Sequence, residues 1–160
     1  MRLTVVQRNN LKKECGTCTK CCDGTVAGVI KGHKMFPGQP CFFLGKSGCN
    51  DYENRPNHPC KTYQCLWLSD PSVPDFIKPE NAEVIVDIET YKGKKYLKIT
   101  KPNKNIDNII NYAKEYAIKN NMSLIWFEDE SNNVNYFGDE KLCLEIISET
   151  NKQIKYLNII

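Results

Sequence analysis

Regular hydrophobic spacing fills the second half of the chain and is absent from the first. In "AEVIVDIETY" (82–91), Val84, Val86 and Ile88 recur at every second position, the period of a β-strand with one buried face. "KGKK" (92–95) supplies a glycine-containing turn and "YLKIT" (96–100) a returning strand, so the segment predicts a β-hairpin. "NIDNIINYAKEYAIKNN" (105–121) places Ile106, Ile109, Ile110, Ala113 and Ala117 on one helical stripe, with Asp107 in the first turn and Asn120 and Asn121 at the end. "SLIWFED" (123–129) and "VNYF" (134–137) predict two strands around a turn at 131–133. From Asp139 onward Leu142, Ile146 and Ile147 fit a helix and "LCLEII" also fits a strand, with helix preferred.

The first half reads differently. Residues 1–14 form a lead-in with a short apolar run, Leu3 to Val6, that suggests a strand. Residues 15–68 carry glycines at 16, 24, 28, 32, 38, 45 and 48 and few large aliphatics, which predicts many turns, little regular structure and a need for stability beyond a hydrophobic core. Between the halves, Pro71, Pro74 and Pro79 in "SDPSVPDFIKPE" (69–80) predict a stiff, extended connection. The chain thus divides into 1–68, 69–80 and 81–160, and no internal repeat or low-complexity tract appears.

Composition sharpens this picture at one point. Hydrophobic residues at 41% and charged residues at 26% indicate a globular chain, and a net charge of +3 argues against a dedicated nucleic-acid binder. The cysteines are unusual: eight of nine lie within the 51 residues from Cys15 to Cys65. The ninth, Cys143, sits in the patterned half and reads as an ordinary buried thiol. The Leu3–Val6 run is too short for a signal peptide and no window is apolar enough to span a membrane, so a cytoplasmic location is expected. There thiols stay reduced, and clustered cysteines point to metal rather than disulfides.

Thiolates are soft, anionic ligands suited to zinc and iron–sulfur centres. "CGTCTKCC" spaces Cys15, Cys18 and Cys21 as C-x-x-C-x-x-C, the interval that binds clusters in bacterial ferredoxins, while zinc sites also use C-x-x-C pairs. Cys41 and Cys49 bracket "FFLGKSG", and Cys60 and Cys65 bracket "KTYQ", so these four enter from separate loops. Adjacent side chains diverge, so Cys21 and Cys22 can serve two centres, or one can be a ligand while the other packs or reacts. Eight thiols suffice for two closed four-thiolate sites or for one cluster with four to spare, and spacing does not choose. Four thiolates leave a zinc site negative, and Lys12, Lys13, Lys20, Arg55 and Lys61 are near enough in sequence to offset this. Arg55 is expected to bond a carboxylate or a cluster sulfur. Phe42, Phe43, Tyr52, Tyr63 and Trp67 are expected to cover the site.

"CGTCTKCC" followed by "PCFFLGKSGCNDYENRPNHPCKTYQC" closely resembles the YkgJ-type cysteine-cluster family, named for a zinc- or iron-chelating domain. All eight positions of that pattern match: Cys15, Cys18, Cys21, Cys22, Cys41, Cys49, Cys60 and Cys65, with Tyr52, Arg55, Pro56 and Tyr63 in the intervening signature. The resemblance covers about residues 15–68, and "LWLSDPSVPDFIKPENAEVIV" looks like the continuation seen in some members. It implies that these eight cysteines are metal ligands, for zinc or iron, the latter including an iron–sulfur cluster. It implies no settled reaction. Some proteins with this signature are linked to iron–sulfur-dependent modification of other proteins, an activity not carried over here.

Other candidates are weaker. His33 and His58 read as loop residues, with His58 two positions from Cys60. Lys92, Lys94, Lys95, Lys98, Lys101 and Lys104 form a basic run that reads as a solvated hairpin rather than a nucleic-acid patch. Glu128, Asp129 and Glu130 read as a solvated loop, and Trp126 and Phe127 as core. No phosphate-binding glycine loop, H-E-x-x-H motif or Ser/His/Asp set is present, and two histidines leave little for acid–base catalysis. The expected architecture is α+β: an N-terminal metal-stapled, loop-rich cysteine domain, then a hairpin, helix, two strands and C-terminal helix. The expected function is metal binding in a structural or chelating role, with a protein client as a further partner and no membrane. The alternatives are an iron–sulfur redox or protein-modification protein, and a zinc-ribbon-like nucleic-acid module.

Overall fold

The structure, a computed structural model, describes residues 12–128 and 133–157. The strand expected over Leu3–Val6, residues 131 and 132 of the expected turn, and Asp129 and Glu130 lie outside the described residues. The fold is α+β.

The first half folds as two small hairpins set among turns. β1 (Gly28–Ile30) pairs antiparallel with β2 (His33–Met35), and β3 (Leu44–Gly45) with β4 (Gly48–Cys49). Ile30, Met35 and Cys41 are its buried core, with Cys22, Val26, Phe43, Leu44 and Cys60 packed partly buried against them. So small a core cannot by itself offset the entropy of ordering such a run of loops. One turn is held tightly: Gly24 has φ +98°, and a Cβ there would lie 2.4 Å from the Phe36 carbonyl oxygen. A single wide helical turn follows at Asn57–Lys61, interrupted by the extended backbone of His58.

α1 (Leu66–Ser69) starts directly after Cys65 and buries Leu66 and Trp67. The expected extended connection is a correction. Residues 69–80 instead contain a 3-10 turn, Asp75–Ile77, and the start of α2 (Pro79–Ala82). Pro79 occupies the first helical turn, where a missing N–H costs nothing. Val73 and Ile77 are buried in the main core. The prolines restrict φ without preventing helical turns, and the two apolar residues between them dominate the outcome.

The second half is a four-stranded sheet in the order β5 (Val86–Tyr91), β6 (Lys94–Ile99), β7 (Ser123–Phe127), β8 (Val134–Phe137). β5 and β6 are antiparallel, joined at Lys92 and Gly93, which both have positive φ as a tight two-residue hairpin loop requires. α3 (Asp107–Lys119) crosses over to place β7 parallel to β6, and β8 returns antiparallel. Alternation along the strands gives the sheet two apolar faces. Leu97, Ile99, Leu124 and Trp126 pack with Ile106, Ile109, Ala113 and Ala117, the expected stripe of α3, and with Leu66, Trp67, Val73 and Ile77. Tyr96 and Ile125 pack with Cys143 and Ile146 of α4 (Glu140–Leu157). The ambiguous tail is therefore a helix, capped by Asp139, whose carboxylate accepts the Leu142 N–H at 3.0 Å. Among the described residues no helix is long and apolar enough to cross a membrane.

If residues 69–80 belong to the core, Ile77→Ala should lower stability by about 2–5 kcal/mol in urea denaturation followed by circular dichroism. Ile118→Ala, at a helix position 67% exposed, should change it by less than about 0.5 kcal/mol.

Candidate metal centre

Two consecutive turns present the first four cysteines. The Cys18 N–H bonds the Cys15 carbonyl at 3.0 Å, and the Cys22 N–H bonds the Thr19 carbonyl at 2.8 Å. Cys41 is tied to this segment by its N–H on the Cys22 carbonyl, at 2.8 Å. Cys49 faces Leu44 across the second hairpin. Cys60 lies in the wide turn, and Cys65 occupies the N-cap of α1, where its carbonyl accepts the Leu68 and Ser69 N–H groups.

These placements form two neighbourhoods. Cys22, Cys41 and Cys60 share the small core of the first half, and Leu44, opposite Cys49, belongs to it. Cys65 instead packs against the main core. The Cys15–Cys18 turn is fastened on that side: Thr17 donates to Glu80 at 2.8 Å, and Glu80 pairs with Lys78. The Lys78 and Lys13 ammonium groups each lie 4.9 Å from the Trp67 ring, two residues beyond Cys65. The neighbourhoods meet where Cys21 Sγ lies 3.8 Å from Cys22 Sγ. All nine cysteines are free thiols. Among the described residues no three His, Cys, Asp or Glu side chains converge closely enough to hold one metal ion. The eight thiols are soft donors of the kind that zinc and iron–sulfur centres take.

The thiols perturb one another strongly. The hydrogen-bond contact between Cys21 and Cys22 pushes the Cys21 thiol up, helped by burial, and lowers Cys22 against its own burial. Burial and then interaction with the Cys18 sulfur push Cys15 up, against the Lys78 cation. Burial and then interaction with the Cys22, Cys41 and Cys49 sulfurs push Cys60 up, against the Arg55 cation. Burial also pushes Cys65 up, helped by Asp87, Cys15 and Cys18 and opposed by the Leu68 N–H. Crowded, half-buried thiols of this kind resist ionising together unless a cation compensates them.

A buried acid links the two halves. Tyr63, between Cys60 and Cys65, donates its hydroxyl to Asp87 of β5 at 2.6 Å. Asp87 is 7% exposed, and burial raises its carboxyl to about 6 despite that hydrogen bond and nearby Lys98.

Several expectations about neighbouring residues change. Arg55 bonds the Tyr52 carbonyl at 2.8 Å and stacks 3.6 Å above the Tyr52 ring rather than meeting a carboxylate. Phe42 and Tyr52 are 67% and 57% exposed, so they cover little, whereas Phe43, Tyr63 and Trp67 are at least partly buried. His33 stacks on Phe42 with ring centroids 4.0 Å apart, and His58 faces the Thr62 hydroxyl. Lys78 and Asp87 were not legible as site residues, because only the fold brings them to cysteines far away in sequence. Cys143 lies buried in the second core, away from the eight. Four lysines of the basic run are paired with acids: Lys92 with Glu145, Lys94 with Asp139, Lys98 with Glu89 on the neighbouring strand and Lys104 with Glu83.

No protein-family profile, curated protein or solved structure matches the chain.

Asp87 gives a pH test. Its folded carboxyl titrates above the ordinary value of 3.8, so the folded state holds the extra proton and the Asp87 contribution falls as pH rises from about 4 to about 6. Asp87→Asn keeps an acceptor for Tyr63 and removes the buried charge. It should be more stable than wild type at pH 7, by on the order of 2 kcal/mol, with the difference vanishing below pH 4. Thermal melts of both proteins across that range check this.

Proposed function

We propose that this protein binds zinc or iron through Cys15, Cys18, Cys21, Cys22, Cys41, Cys49, Cys60 and Cys65, as a member of the YkgJ-type family, in a structural or chelating role. One observation carries the reading. Eight free thiols are gathered in a segment whose own buried core is only Ile30, Met35 and Cys41. A segment so poor in apolar contacts gains most from cross-linking by a metal, because binding free energy then becomes folding free energy. The bound cation supplies charge compensation for crowded thiolates. Cys22, whose thiol is lowered by its contact with Cys21, is the natural first ligand, and the remaining thiols give up protons as the cation is taken up. Lys78 and Arg55 lower the cost of that negative charge. The α+β half is the surface left for a protein client.

An iron–sulfur redox or protein-modification role is the second reading, supported by the C-x-x-C-x-x-C spacing. The nucleic-acid reading loses its main support once four of the hairpin lysines are paired with acids.

Protein purified without oxygen should carry zinc, or iron with acid-labile sulfide, by elemental and sulfide assay. Cys18→Ser and Cys60→Ser should each lower metal per chain and loosen residues 15–65 in hydrogen exchange. Cys143→Ser should leave metal content unchanged. Full metal content in the first two variants defeats the proposal.

A further inference from the structure

We propose that the eight cysteines divide into two sets of four, Cys15, Cys18, Cys21 and Cys65 against Cys22, Cys41, Cys49 and Cys60, each set serving its own metal centre. This rests on the metal-binding reading above and adds which thiols share a centre.

The division follows from what each cysteine packs on. Cys22 holds Cys41 through a backbone hydrogen bond and shares with Cys41 and Cys60 the small core of the hairpins. Cys49 enters that neighbourhood as the cross-strand partner of Leu44, whose N–H bonds the Cys41 carbonyl at 3.0 Å. All four belong to elements of the first half. The other set straddles the halves. Cys65 sits on α1 against the main core, and the Cys15–Cys18 turn reaches the same place through Thr17, Glu80 and Lys78, with Lys78 over Trp67. Cys21 is absent from the small core, although its neighbour Cys22 belongs to it.

The 3.8 Å contact between Cys21 and Cys22 also suits a single centre using both sulfurs. Their flanking contacts decide against it: Cys22 packs on the small core that includes Cys41 and on which Cys60 also packs, Cys21 does not, and a cysteine pair on successive residues lets one short segment feed both sets. The two centres then differ in consequence. The set with Cys22 organises the hairpins alone, whereas the set with Cys65 fastens the first half to the second.

The test uses the full chain loaded with zinc under anaerobic conditions. Wild type should bind about two zinc ions per chain, the number that eight thiolates fill as closed sites. The within-set variants Cys18→Ser/Cys65→Ser and Cys49→Ser/Cys60→Ser should each keep about half of that metal. The cross-set variant Cys18→Ser/Cys60→Ser should keep almost none. Hydrogen exchange should open 28–49 in the Cys49→Ser/Cys60→Ser variant and the 15–18 and 78–80 segments in the Cys18→Ser/Cys65→Ser variant. Wild-type protein gives a reading independent of variant folding: under graded chelator, thiol alkylation should release the cysteines in the two named groups, read by peptide mass spectrometry. Equal loss in all three double variants, or release in mixed groups, overturns the division while leaving metal binding intact. Absence of metal from wild type overturns both.

Discussion

Leu66 and Trp67 are the point at which a half without an adequate core is joined to a half that has one. Both side chains are buried among Ile77, Leu97, Ile99 and the inward face of α3. Full burial of a large apolar side chain contributes about 1.5–3 kcal/mol. That contribution is available to the first half only here, because its own hairpins bury so little. Cys65 immediately precedes this anchor, and Tyr63 reaches Asp87 of β5 just before it. The rest of the cysteine segment is held by this C-terminal attachment, by the Thr17–Glu80 hydrogen bond and by its own short turns.

The same arrangement creates an electrostatic problem. Thiols crowded in partly buried loops raise one another's pKa, and the contact of Cys21 with Cys22, which lowers one thiol while raising the other, is the local solution for one pair. Lys78 and Arg55 relieve part of the remainder. A metal cation is the chemically natural counterpart to such a cluster, and the proposed function follows from this balance of charge together with the poverty of the core. The buried Asp87 carboxyl is a cost the fold carries next to it, tolerated through the Tyr63 hydrogen bond.

The patterned half was largely legible. Period-two alternation announced β5 and β6, and the Ile109–Ala113–Ala117 stripe announced α3, because one-sided burial imposes these spacings directly on a sequence. The C-terminal helix was less so, since its apolar residues satisfied two periods until α4 packed Cys143 and Ile146 beneath the sheet. The segment around Pro74 was misread as extended. Prolines signal restricted φ, but whether Val73 and Ile77 find a core is decided by residues far along the chain.

By itself, the sequence determined the α+β pattern of the second half, the turn-rich character of the first and the crowding of eight thiols within 51 residues, since these depend on composition and short-range spacing. Only tertiary structure decided that Arg55 stacks on Tyr52, that Lys78 and Asp87 stand beside the cysteines, and that Cys65 faces the main core while Cys22 faces the hairpins. Those facts concern which distant segments touch. They follow from the packing of α1 and residues 73–77 against the sheet, a long-range contact that no local spacing encodes.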